Sequence, residues 1–234
     1  MDFIGAYTAD HLIFLLKGFL ITLEVAIISI ILSFLIGGAI GILRYAKIPV
    51  LSQVLMLVVE TIRNLPLLLI IFFTYFALPE IGIKLEIKTA AIAALTIFEA
   101  AMLSEIVRSG LLSIEKGQIE AARSSGLTYM QTLQYIVLPQ ALRRMVPPIV
   151  SQFISLLKDT SLAVIIALPE LMHNAQIING QSINYTIPTF LLIALLYFLV
   201  NFTLSLLAKQ LETAQTDKKA KSKTSVYTPQ NLQA

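Results

Sequence analysis

Six residues lie inside otherwise apolar stretches and carry what chemistry the chain can offer: Glu60, Arg63, Glu99, Asp159, Thr160 and Ser161. Carboxylates meet a cationic group, while a guanidinium and hydroxyls meet an anionic one. The set therefore suits the binding of a small polar ligand and not covalent chemistry. The two histidines, His11 and His173, share no ligand spacing, and there is no cysteine for a thiolate or a metal. No GxxxxGK[ST] phosphate loop occurs, nor GxSxG or HExxH. The sequence offers no ATP cradle and no catalytic constellation.

A charge at mid-bilayer costs roughly 2.5–3.5 kcal/mol on insertion scales, so these residues must face a partner or an aqueous cavity. Glu60 and Arg63 stand three apart on one helix face, and either pair with each other or line a ligand path. Pro66 removes a backbone donor just beyond them, which kinks the helix and frees the carbonyl near Ile62. Adjacent residues on a helix point apart, so Asp159 is expected to look into a cavity and Lys158 to meet another element. Thr160 and Ser161 either donate hydroxyls to a ligand or satisfy carbonyls one turn back. Glu24 is expected to snorkel to the interface.

The elements that must position these groups read clearly. The chain has 234 residues, 57% hydrophobic and 13% charged, an apolar excess that points to an all-α membrane protein. A span needs about 20 mostly apolar residues. Five runs qualify: 18–43, 50–78, 89–107, 145–168 and 187–208. The first twenty residues lack a basic n-region and a cleavage site, so the first run reads as a retained helix. The spacing Gly37-x-x-x-Gly41 predicts close helix packing within the chain. Segment 173–184 reads as a polar outer loop carrying a surface His173.

Of the 17 Lys and Arg residues, 12 fall on one side of these runs, three on the other and two within them. That bias predicts a cell-membrane protein with its N-terminus outside and its C-terminus cytoplasmic. The domain reading is an extracellular segment 1–17, a transmembrane domain 18–212 with a cytoplasmic loop 108–144, and a Lys-rich disordered tail 213–234.

The loop predicts two short helices. The first covers 114–125 and stops at Gly126, by type a left-handed residue. The second opens at Thr128, which forms a capping box with Gln131, presents Met130, Leu133 and Val137 on one face, and ends at Pro139. The stretch "EAARSSG" followed by "IVLPQALRR" resembles the EAA loop of ABC-importer permeases, pattern EAA-x3-G-x9-I-x-LP, filled by Glu120, Ala121, Ala122, Gly126, Ile136, Leu138 and Pro139. "RNLPLLL", "SEIVRSG", "KGQIEAA" and "LKDTSL" are similar to the polar amino-acid uptake family of those permeases. Ala101-Met102, ahead of Ser104-Glu105, departs from the Ala-Tyr pair common there.

The resemblance covers about 18–208 and implies a type I ABC importer permease fold of five transmembrane helices. It implies a polar amino-acid cargo, glutamine first, with arginine, histidine, glutamate or cystine as alternatives. The partners implied are a cytoplasmic ATP-binding subunit, an extracellular solute-binding protein, a second permease copy or sister permease, and membrane lipid; no nucleic acid is implied. The permease would be no enzyme and hold no cofactor, since ATP and Mg belong to the ATPase partner. Gly117, Gln118, Glu120, Ala121, Ala122 and Gly126 would form the coupling helix, with Ala121 and Ala122 small enough for close approach. Glu60, Glu99 and Asp159 would meet the substrate ammonium, and Arg63, Thr160 and Ser161 its carboxylate. Glu105 and Arg108 resemble packing and gating positions. An ion-coupled secondary transporter is the distant alternative; five spans give no two-half repeat.

Overall fold

In the computed structural model, residues 1–226 are described, with side chains through residue 210 except Leu207. The described residues are all helix, turn and loop. Among the described residues four helices are long and apolar enough to cross a membrane, or five where a bent pair is counted as one span.

After a short helix α1 (Phe3–Ala6), α2 runs over Ala9–Tyr45, capped by the Thr8 side chain. The stretch 1–17 thus holds α1 and the opening turns of α2. At 1.5 Å per residue α2 is about 55 Å long, well beyond a hydrocarbon core of about 30 Å. Its buried face is a file of small residues: Gly18, Thr22, Ala26, Ser29, Ser33, Gly37 and Gly41. They let other helices approach where large side chains would hold them off. Against the lower half of this file lies α5 (Ile87–Leu112), rich in buried alanine. A Cβ on Gly37 would stand 2.6 Å from the Ala100 carbonyl oxygen, and one on Gly41 2.7 Å from that of Ser104. Both contacts advance together along the two chains, so α2 and α5 run parallel, as first and third spans must. The expected packing of Gly37 and Gly41 within the chain is what is found.

Between them the second span is not one kinked helix. Helix α3 (Leu51–Asn64) and helix α4 (Leu67–Phe72) are separate, and the segments 51–64 and 67–81 meet at 103°. Leu65 and Pro66 are extended, the conformation a proline imposes on the residue before it. The Ile62 carbonyl is not freed as expected: it accepts the Leu65 N–H at 3.2 Å.

Next come α6 (Lys116–Ser124) and α7 (Tyr129–Thr132), then a π turn over Leu133–Val137 that leads directly into α8 (Leu138–Asp159). Pro139 therefore begins a helix and does not end one. In the first turn its missing N–H has no partner to lose, and the π turn absorbs its ring. A 3-10 segment, Thr160–Ile166, ends at Ala167 in the left-handed region, φ 58°. The supposed outer loop is instead helix α9 (Leu171–Gln181), whose Leu171, Asn174, Ala175 and Ile178 are buried against the start of α2. His173 is half-buried there. The last helix, α10, runs over Thr186–Val226. The tail expected over 213–234 otherwise lies outside the described residues.

Candidate functional site

Two regions carry polar groups with something to do. The first is α6. Its C-terminus closes as a Schellman motif: Leu127 N–H bonds Ala122 O at 3.2 Å, and Gly126 N–H bonds Arg123 O at 3.1 Å. Gly126 holds φ 89°, which a side chain would strain. The capping box of α7 is present: Thr128 N–H reaches Gln131 Oε1 at 2.8 Å, and Gln131 N–H reaches Thr128 Oγ1 at 3.3 Å. These two devices set the turn between α6 and α7.

Gly117, Gln118, Glu120, Ala121 and Gly126 are exposed. Ala122 is not: at 8% exposure it is the buried residue of α6. Its burial leaves Ala121 alone for close outside approach. Gln118 accepts a bond from Gln140 of α8 at 2.7 Å, and Arg144 donates to the carbonyl and hydroxyl oxygens of Ser113. These bonds tie α6 to α8 and α8 to the end of α5. Beside it Tyr129, Met130 and Tyr135 are exposed, Met130 at 64%, so the expected single apolar face of 130, 133 and 137 does not form. The π turn rotates the later residues away from the earlier ones.

The second region lies along α5. Residues 25–43 of α2 carry no charge, and at 1.5 Å per residue they measure about 28 Å, near the hydrocarbon thickness. Two charged layers bound them. At one end Glu24 pairs with Lys88 at 2.9 Å, so Glu24 has a partner on α5 where snorkelling was expected. At the other end Arg44 pairs with Glu105 at 3.0 Å and donates to Ser104 at 2.9 Å. Glu60 bonds Arg63 at 3.1 Å and stands 3.9 Å from Arg44; Arg63 stands 3.9 Å from Glu105, which Arg108 also holds. Glu60 and Arg63 therefore belong to a five-residue ionic cluster with Arg44, Glu105 and Arg108. Within it they pair with each other.

Glu99 is elsewhere. It precedes Glu105 by six residues, about 9 Å along α5 toward mid-depth. It is 1% exposed, accepts a bond from Gln152 of α8 at 3.1 Å, and its second oxygen has no partner. A buried acceptor left unpaired is costly, so this oxygen is suited to a ligand donor. Asp159 is half-buried at the end of α8 and Lys158 is exposed. The Thr160 hydroxyl bonds Leu157 O at 2.8 Å and Ser161 bonds Lys158 O at 2.7 Å, so both hydroxyl protons are spent on their own helix.

Sequence reasoning missed three groups. Arg44 looked like one more positive residue at a span end. Gln152 carries no charge and so raised no signal. Glu170, fully buried, caps α9 through the Met172 and His173 amides and accepts from Thr22 and Tyr197, tying α2, α9 and α10 together. Burial lifts its carboxyl above the ordinary range, against the opposing pull of those hydrogen bonds. An acidic residue just before an apolar helix is the signal that could have found it.

Comparison with known proteins gives a consistent picture. Residues 29–216 match the family described as binding-protein-dependent transport system inner membrane component. The probable glutamine ABC transporter permease protein GlnP of Bacillus subtilis (strain 168) is 76% identical over 218 residues, 92% of this chain and 100% of that one. The L-cystine transport system permease protein TcyB of the same organism is 34% identical over 195 residues, 83% of each chain. Among solved structures, the crystal structure of an amino acid ABC transporter with histidines superposes with a TM-score of 0.85 at 28% identity, over 92% of this chain and 99% of that one.

Proposed function

The chain belongs to the family of binding-protein-dependent transport system inner membrane components, and from that premise we propose that it is the glutamine permease of an ATP-driven importer. The observation that carries this reading is the 76% identity to a probable glutamine permease over that protein's whole length.

Helix α6 docks in a groove of a cytoplasmic ATP-binding subunit, which holds the ATP and Mg. Its exposed Glu120 and Ala121, with Tyr129 and Met130 beside them, form the contact. Each ATPase movement is passed through the bonds from Gln140 to Gln118 and from Arg144 to Ser113, so α5 and α8 move with the docked helix. A second permease copy or sister permease completes the path, and an extracellular solute-binding protein delivers the substrate. The N-terminus is outside and the 108–144 loop and C-terminus are cytoplasmic, on the bias of basic residues.

Glu99 and Asp159 serve the substrate's ammonium end, with the unpaired Glu99 oxygen as the acceptor. Thr160 and Ser161 remain as acceptors only, because their protons are taken. Glu60 and Arg63, held in the ionic cluster, border the path at its inner end.

The test is uptake of labelled glutamine by the reconstituted assembly, with arginine, histidine, glutamate and cystine as competitors. Glutamine should compete best. Glu120→Lys and Gly126→Asp should each abolish co-purification of the ATPase subunit and uptake together. A permease that takes up another of these amino acids better refutes the glutamine assignment; variants that keep their ATPase partner refute the docking assignment.

A further inference from the structure

Beside the ionic cluster is a cleft of about 370 Å³ whose lining includes Arg44, Lys47, Ser52, Gln53, Glu60 and Arg108. Its charge does not balance. Its lining sets Arg44, Lys47 and Arg108 against Glu60; Arg44 and Arg108 are held by Glu105 and Glu60 by Arg63 at 3.1 Å, which leaves the Lys47 charge over. The Lys47 ammonium makes no ion pair among the described residues. The Arg44 side chain is 4% exposed, yet its Nε has no partner. An unpaired ammonium beside a buried guanidinium nitrogen that lacks an acceptor suits an anion.

The depth says which anion. Arg44 is the first charge after the 19 uncharged residues 25–43, so it stands where the hydrocarbon ends and headgroups begin. Lys47 follows in a turn with two non-glycine residues in the left-handed region, Lys47 at φ 52° and Val50 at φ 65°. The same turn exposes Ile48, Val50 and Leu51, Val50 at 70%. Cations and bare apolar side chains side by side match an amphiphile, with its phosphate in the cleft and its chains along the turn. A zwitterionic amino acid fits less well, because the only carboxylate available for its ammonium is occupied.

We propose that this cleft, between the end of α2 and the polar face of α3, binds the phosphate headgroup of an anionic phospholipid. The bound phosphate pairs with Lys47 and so holds the turn that joins α2 to α3. The site is independent of which substrate is carried.

The experiment is native mass spectrometry of the purified permease with phosphatidylglycerol or phosphatidylcholine of the same acyl chains, repeated with inorganic phosphate and with glutamine as competitors. Phosphatidylglycerol should bind at least tenfold more tightly. Lys47→Glu should reduce that preference by about twenty-fivefold, roughly fivefold for each of the two units of charge changed. Arg143→Glu, an exposed arginine of α8, should leave it unchanged. Helical content by circular dichroism verifies that each variant is folded. Equal binding of the two lipids, or an equal loss in both variants, overturns the site. Displacement by inorganic phosphate shows a free-anion site, and displacement by glutamine a substrate-carboxylate site; either overturns the lipid assignment.

Discussion

Gly37 and Gly38 are neighbours in one helix, yet alanine at each should act with opposite sign. A Cβ at Gly37 would lie 2.6 Å from Ala100 O and 2.9 Å from Leu103 Cβ, where ordinary contact begins at 3.4 Å. The obstacle is backbone, which cannot swing aside as a side chain does. The helices α2 and α5 must part by about 0.8 Å, which forfeits dispersion along the whole file from Ser33 to Gly41. Overfilling a packed contact costs about 1–3 kcal/mol. The better helix propensity of alanine returns about 0.5–1 kcal/mol. The net effect of Gly37→Ala is a loss of about 1–2 kcal/mol. At Gly38 a Cβ would meet nothing within 4 Å, so only the propensity gain of about 0.5–1 kcal/mol remains. The two variants should differ by about 2 kcal/mol, or about 4–8 °C in Tm for a chain of this size. Thermal unfolding in detergent followed by circular dichroism is the assay, since the chain has no tryptophan. If Gly37→Ala is neutral, or Gly38→Ala is as harmful, the parallel contact of α2 with α5 is wrong.

Two further outcomes follow from the charges. Arg44→Ala removes a buried guanidinium bonded to Glu105 and Ser104, although Glu105 keeps Arg108, and should cost about 1–3 kcal/mol, whereas Lys88→Ala, which breaks the half-exposed pair with Glu24, should cost below about 1 kcal/mol; both are read by the same unfolding assay. Glu170 has a folded carboxyl raised above its unfolded value, so the folded state binds the proton more tightly and stability falls as pH rises from the ordinary carboxylate range through the raised value. Glu170→Gln should flatten that dependence, and an unchanged pH profile of Tm would refute the assignment.

Much of the architecture was legible in the residues. Long apolar runs can be satisfied only as helices in lipid, so spans announce themselves. The turn after α6 was equally open to reading, because Gly126, Thr128 and Gln131 act through bonds to residues three positions away. The same locality explains what failed. Whether Pro66 kinks or breaks its span depends on whether α5 and α2 leave room for two helices at 103°. Pro139 and the 173–184 segment were misjudged because a π turn and the face of α2 overrode local signals.

What the sequence alone determined is therefore local and compositional: a helical membrane chain, the close packing at Gly37 and Gly41, and the capped turn after α6. What only the tertiary structure decided is which charges meet. Glu60 and Arg63 are three residues apart and looked like one pair, yet Arg44 and Glu105, from helices distant in sequence, draw them into one cluster at the membrane edge. Glu99 was left at mid-depth with an unpaired oxygen by the register of α2 on α5, which close contact at Gly37 and Gly41 sets. Electrostatic energy falls with distance through space and takes no account of separation along the chain, so such partners cannot be read from spacing.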